Sequence, residues 1–128
     1  MDKKIITTTD APEAIGPYSQ AVAVGPFLFV SGQLPVDAGT NVLHEGDITK
    51  ATHLSIDNLE SILKANGMNL NHVVKTEIFL RDMNDFQAMN EAYAERFNSS
   101  TPPARQTIQA ARLPKHACIE ISCIAYKS

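Results

Sequence analysis

The 128-residue chain has only two cysteines, no excess of positive charge and no long apolar run, and each shortage closes off a class of function. Cys118 and Cys123 fall in one expected strand, where an extended backbone sets them roughly 16–17 Å apart on opposite faces. A disulfide needs Cα atoms within about 7 Å, so the pair reads as buried thiols. The four histidines, His44, His53, His72 and His116, are scattered without ligand spacing and indicate no metal site. A net charge of −3 and a pI near 5.7 argue against a basic surface for nucleic acid. The longest apolar run, around "GPFLFVSG", is far too short to cross a membrane. "MDKKIITTTD" carries lysines without the apolar stretch of a secretory signal. No serine or cysteine is set out as a nucleophile with a histidine base, and no glycine-rich phosphate loop occurs. The expectation is a cytoplasmic protein with one domain over residues 1–128.

What is present is an ordinary globular composition, 44% apolar and 20% charged, with clear punctuation. "KKIITTT" reads as a first strand, and "AVAV" and "FLFVSGQ" as two more joined tightly through Gly25-Pro26. "DAGTN" reads as a loop. Asp47 is a good N-cap for a helix carrying Ile48, Ala51, Leu54, Ser55, Leu59, Ile62 and Leu63, and Gly67 is a plausible stop. "HVVKTEIFL" is a strand, with Val74, Ile78 and Leu80 expected on one face and Val73 and Phe79 on the other. A second helix runs from about Asn84 or Asp85 to Phe97 with the stripe Phe86, Met89, Tyr93, Phe97. "NSSTPP" ends it. Two strands, about Arg105–Ala110 and Cys118–Tyr126, close the chain.

The order βββ-α-β-α-ββ makes an α+β layer, a mixed sheet with two helices on one face. The strands are apolar on both sides, so the face away from the helices needs a cover. A second copy of the chain is the simplest one, which predicts a homo-oligomer.

Two charges stand out inside "PPARQTIQAARLPKHACIEI". In the last strand Ile119, Ile121, Cys123 and Ala125 share one side, and Glu120, Ser122, Ile124 and Tyr126 the other. Glu120 then needs a partner, or burial raises its pKa. Arg105 is a candidate partner, and an Arg105–Glu120 salt bridge at a sheet margin is one reading. The other is a site, in which the planar guanidinium grips a carboxylate ligand by two parallel hydrogen bonds from a proline-stiffened backbone. Tyr18, Ser31, Gly32 and Asn90 are further candidates, each with a structural explanation of its own.

"AIGPYSQ", "LFVSGQLP", "VVKTEIFLRDMNDFQAMNEAYAERF", "PPAR" and "ARLPKHACIEI" together resemble the RidA (YjgF-type) family of reactive-intermediate deaminases, nearly end to end. The resemblance implies a chorismate-mutase-like fold, and a homotrimer with a site in each cleft between subunits. It also implies cofactor-free hydrolysis of 2-imino acids and their enamine tautomers, such as 2-iminobutanoate and 2-iminopropanoate, to 2-keto acids and ammonia. Carried over by position, Arg105 holds the substrate carboxylate and Glu120 positions the attacking water. Tyr18 and Ser31 line the pocket, and Gly32 and Asn90 help shape it. Thr107 stands where many members have a cysteine whose backbone contacts the ligand, and Gln106 where many have a small residue. Threonine keeps the backbone groups but supplies no thiol. The competing readings are a binding or chaperone-like module without useful turnover, an endoribonuclease, which the acidic pI disfavours, and a chorismate mutase, which rests on fold analogy alone.

Overall fold

The chain folds as β1 (Lys3–Ile6), β2 (Ala21–Val24), β3 (Phe27–Gln33), β4 (Val36–Asp37), β5 (Val42–Leu43), α1 (Ile48–Ala65), β6 (Val73–Leu80), α2 (Phe86–Arg96), β7 (Ala104–Gln109) and β8 (Ile119–Tyr126), in a computed structural model that describes residues 2–128. Six strands form a mixed sheet in the order β1-β2-β3-β8-β6-β7, and β4 and β5 form a separate two-stranded ribbon. Among the described strands only β6 and β7 run parallel. The α2 crossover supplies the long connection that a parallel pair requires. The expected order holds for the main sheet. The ribbon is an addition, built from the stretch read as a loop: Asn41 turns with φ 60° and its N–H donates to the Asp37 carbonyl at 2.7 Å. Two-residue strands are too short for an alternating pattern to betray them.

Helix α1 begins where Asp47 accepts hydrogen bonds from the N–H groups of Thr49 and Lys50. It ends in a Schellman closure, in which Gly67 at φ +71° donates to Lys64 O and Met68 to Leu63 O, both at 2.9 Å. Its inner face, Ile56, Leu59, Ile62 and Leu63, is fully buried with Leu28, Ile78, Ile119 and Ile121 of the sheet. Asn58, also buried, donates to Leu34 O and Val36 O at 3.2 and 2.9 Å and so ties the ribbon to α1. The two helices are clamped by Arg96, which pairs with Asp57 at 2.8 Å and Glu60 at 3.6 Å. No helix among the described residues is long and apolar enough to cross a membrane.

Alternation in β8 is as expected, with Ile119, Ile121, Cys123 and Ala125 buried against the helices. In β6 it is not. Val73 is buried and Val74 exposed, because the pairing with β8 skips from Val73↔Ala125 to Lys75↔Ile124. This bulge at Val74 moves Val73 onto the helix side with Thr76, Ile78 and Leu80. Across the other face, Ile5, Val22, Phe29 and Ile124 stand in one row, and Phe27, Phe29 and Tyr126 gather their rings beside it. Ile5, Phe27, Phe29 and Tyr126 are exposed in the single chain, an uncovered apolar face of the kind that the strand composition predicts.

Candidate functional site

Glu120 sits in the middle of the sheet on the face away from the helices, opposite Phe79 of β6. Its neighbour on the other side is set by a second bulge. Between Val30↔Cys123 and Gln33↔Ile121, Ser31 and Gly32 together face Ser122 alone. The extra residue bends β3 toward Glu120. A Cβ on Gly32 would lie 2.7 Å from Glu120 Cδ, so only glycine leaves room for the carboxylate there. Ser31 is held by its Oγ, which donates to Ser19 O at 2.6 Å, and by its N–H, which donates to Gln20 O at 2.9 Å.

No group among the described residues hydrogen-bonds or ion-pairs the Glu120 carboxylate. Burial, with nothing to offset it, pushes its pKa above the ordinary value of 4.5. An uncompensated, partly buried carboxylate of raised pKa is, once ionised, a stronger base than an ordinary one. Gly32, which Glu120 abuts, also lines a cavity of about 320 Å³ together with Tyr18, Gln33, Glu13 and Lys115. Tyr18 is exposed at the tip of a loop.

That loop is pinned by a residue that carries no signal of its own in the sequence. Gln20, buried just before β2, accepts from Thr8 N–H at 2.7 Å and donates to Thr8 O and Pro12 O at 3.1 and 2.8 Å. A glutamine closing "GPYSQ" looks like surface in one dimension, and only its burial shows otherwise. Lys115 carries no sequence signal either. With His116 it adopts a left-handed backbone, φ 59° and 56°, and Arg81 Nη1 steadies the turn by donating to His116 O at 2.9 Å. Consecutive left-handed residues without glycine are strained, and such strain concentrates at ligand sites.

Arg105 lies elsewhere. It is paired with Thr76 in the β6–β7 ladder and turns toward the helices, where Nη1 donates to Asn90 Oδ1 at 2.6 Å. Its guanidinium carbon is 4.9 Å from the Tyr93 ring centroid and 5.7 Å from that of Phe86. Asn90 thus orients Arg105 through the amide oxygen. Thr107 shares this side of β7, and its buried Oγ1 has no hydrogen-bond partner. Gln106 is exposed. β7 is an edge strand, and because Ala110 N–H donates to Leu80 O, the alternation turns the main-chain groups of Arg105 and Thr107 outward, away from β6.

The seven candidates therefore fall into two groups. Tyr18, Ser31, Gly32 and Glu120 gather around β3 and β8. Arg105, Asn90 and Thr107 gather between β7 and α2. The two lie on opposite faces of the sheet, and the Arg105–Glu120 salt bridge that was one reading of the sequence does not form within the chain.

Comparison with known proteins places the chain by family and by fold. Residues 8–127 match the family model described as Endoribonuclease L-PSP. A RutC family protein of Pyrococcus horikoshii is 50% identical over 125 residues, covering 98% of each chain. The 2-iminobutanoate/2-iminopropanoate deaminase of Mus musculus is 46% identical over 123 residues, covering 96% of this chain and 90% of the mouse protein. Among solved structures, E. coli TdcF with bound serine superimposes with a TM-score of 0.93 at 41% identity, covering 98% of this chain and 99% of TdcF. The likeness bears out the chorismate-mutase-like architecture, two helices packed on a mixed sheet.

Proposed function

The chain belongs to the RidA (YjgF-type) family, whose model carries the description Endoribonuclease L-PSP, and from that premise we propose that it hydrolyses small 2-imino acids, among them 2-iminobutanoate and 2-iminopropanoate, to 2-keto acids and ammonia. The observation that carries the reading is the pair of unneutralised charges, Arg105 on one face and Glu120 on the other, neither serving the other as counter-ion. Relatives named for this reaction, in mouse at 46% and in Salmonella typhimurium at 41% identity, support it. So does the carboxylate-bearing amino acid named in the TdcF structure.

The site is shared between copies of the chain. Arg105 and Asn90 of one subunit face Glu120, Gly32, Ser31 and Tyr18 of the next across a cleft, in a homotrimer whose assembly covers the apolar face. Arg105 takes the substrate carboxylate with its planar fork, and the outward main-chain groups of Thr107 border the ligand. This fixes C2 of the imine toward the water held by Glu120, an orientation effect. The ionised carboxyl accepts a proton as water adds to C2. That proton passes to the nitrogen to give the carbinolamine. The carboxylate then takes the remaining C2 hydroxyl proton as the carbonyl forms and gives it to the nitrogen, so the C–N bond breaks and the 2-keto acid and ammonia leave. Such acid–base help is typically worth ~10²–10⁴-fold, and burial holds the Glu120 pKa on the side that favours returning the proton. Imines hydrolyse spontaneously in water, so the carboxylate and a positioned water are sufficient chemistry. The proposed setting is the cytoplasm, beside the pyridoxal-phosphate enzymes that release these imines.

The test generates 2-iminobutanoate in place from threonine with a dehydratase and follows its disappearance with wild type, Arg105→Ala and Glu120→Ala. Wild-type acceleration, reduced about 10²-fold or more in kcat/KM by Arg105→Ala through loss of charge-assisted bonds, is the expected result. A folded wild type that leaves the spontaneous rate unchanged removes the reading for this substrate and brings a binding role forward.

A further inference from the structure

Arg105 is supported in a way its charge does not require. Phe86, Asn90 and Tyr93 stand at i, i+4 and i+7 on α2 and so form one face of the helix. That face meets the guanidinium with an aromatic ring, an amide oxygen and a second ring. No carboxylate is within ion-pairing distance of Arg105 among the described residues. Arg96, the last residue of the same helix, shows the contrast, being closed by Asp57 and Glu60. Ring faces and one neutral acceptor leave most of the five guanidinium N–H donors free for an anion.

Tyr93 is itself immobilised. It is buried, its hydroxyl pairs with Thr76 Oγ1 at 2.8 Å, and its ring stacks on Phe97 with centroids 4.5 Å apart and planes 25° apart. Thr76 is also the ladder partner of Arg105. A closed circuit results: Thr76 registers the Arg105 backbone, anchors the Tyr93 hydroxyl, and Tyr93 lies beneath the Arg105 side chain. Desolvation pushes the Tyr93 phenol above its ordinary pKa despite the Thr76 bond and the nearby Arg105 charge, so the residue stays neutral and never competes for the guanidinium as an anion.

We propose that Tyr93, tethered by Thr76, is a positioning residue that sets the plane in which Arg105 offers its fork to a substrate carboxylate. The inference rests on the reading of Arg105 as carboxylate anchor. A flat ring under the guanidinium restricts rotation without consuming a donor, and a preset fork loses less freedom on binding.

The experiment measures binding of 2-oxobutanoate, a carboxylate ligand that does not turn over, by calorimetry, together with the Arg105 Nε–Hε signal by NMR. Tyr93→Leu should weaken binding about tenfold, within the range of a desolvated cation–π contact, and move the Arg105 signal as the ring-current shift is lost. KM should rise by more than kcat falls, since a loosened fork still holds the carboxylate but aims C2 less strictly. Tyr93→Phe keeps the ring and should restore binding to within about threefold of wild type, with the signal near its wild-type position. Where Tyr93→Leu does not fold, Thr76→Val tests the tether, and about a twofold to fivefold weakening with a displaced Arg105 signal is expected. Unchanged affinity and an unmoved Arg105 signal in Tyr93→Leu, or in Thr76→Val where that variant stands in for it, overturn the proposal. Arg105→Ala is the control: if it binds 2-oxobutanoate as wild type does, the carboxylate-anchor reading itself fails. If it loses binding while Tyr93→Leu keeps it, only the role of Tyr93 fails.

Discussion

Arg105 and Glu120 point to opposite faces of one sheet, Arg105 aligned with Thr76 on the helix side and Glu120 aligned with Phe79 on the other. The two charges that invite pairing in the sequence are thereby kept apart, each with its own support. An edge strand and a helix face hold the arginine, and a bulge with a glycine holds the carboxylate. Charges neutralised by each other would be poor ligands for anything else, whereas charges held apart are free to meet a substrate from two sides.

Glu120 carries a stability signature. Burial raises its folded pKa above 4.5, so between 4.5 and the folded value the native chain keeps a proton that the unfolded chain has lost. Stability therefore falls as pH rises through that window and stays lowered above it. Glu120→Gln, which imitates the protonated form, should melt at a higher temperature than wild type at pH 7, and the difference should vanish below pH 4.5. Thermal melts across pH decide it, and a variant less stable than wild type at pH 7 would show that the carboxylate has a compensating partner. Activity should move the other way, falling in wild type as acid protonates the base.

Gly32→Ala tests the approach of β3 to the carboxylate. The new Cβ would come within 2.7 Å of Glu120 Cδ and 2.9 Å of Cγ, and these are outer atoms of a side chain that can swing away. The fold should tolerate the change, with a stability loss of about 1 kcal/mol or less. The carboxylate should not, and a displacement of about 1 Å can cost ~10²-fold in rate. Steady-state kinetics beside a urea melt separate the two effects. Near-wild-type kcat would mean that the position of Glu120 is not critical.

Gln20→Leu tests the base of the loop that carries Tyr18. The substitution keeps the volume but leaves Thr8 N–H, Thr8 O and Pro12 O without the partner they have now. Buried polar groups left unpaired cost ~1–3 kcal/mol each, so a loss of about 2–4 kcal/mol is expected in a denaturant melt. Faster amide exchange over residues 8–18 should accompany it. A melt unchanged from wild type would place water on those groups instead.

Much of this was legible in one dimension, and what was not has local physical causes. Period two runs unbroken through Ile119–Tyr126, so the inner and outer sides of β8 read directly from the pattern. The cap at Asp47 and the stop at Gly67 are chemical signals at fixed positions. The bulges at Val74 and at Ser31–Gly32 break the period at points where the residue types do not, although a glycine inside a strand is the usual trace of one. Tyr93 is visible as a core stripe residue but its role under Arg105 is not, because that contact joins a helix to an edge strand through a non-local pairing. Residue types could nominate Arg105 and Glu120. Only the sheet order could set them on opposite faces.

That separation makes a decisive prediction about assembly. A site made of Arg105 from one copy and Glu120 from another can be rebuilt from two dead parents. Arg105→Ala and Glu120→Gln should each be nearly inactive alone. Co-expressed or refolded together in equal amounts, they form mixed oligomers in which an Arg105-intact chain meets a Glu120-intact chain at about one quarter of the clefts, the proportion set by random pairing in a cyclic assembly. Activity should recover to about a quarter of the wild-type value, and separate preparations mixed without exchange should recover nothing. A site contained in one chain gives no recovery under any mixing, since every subunit then carries a broken half. Recovery near one quarter would place the two groups of the proposed site in different copies of the chain.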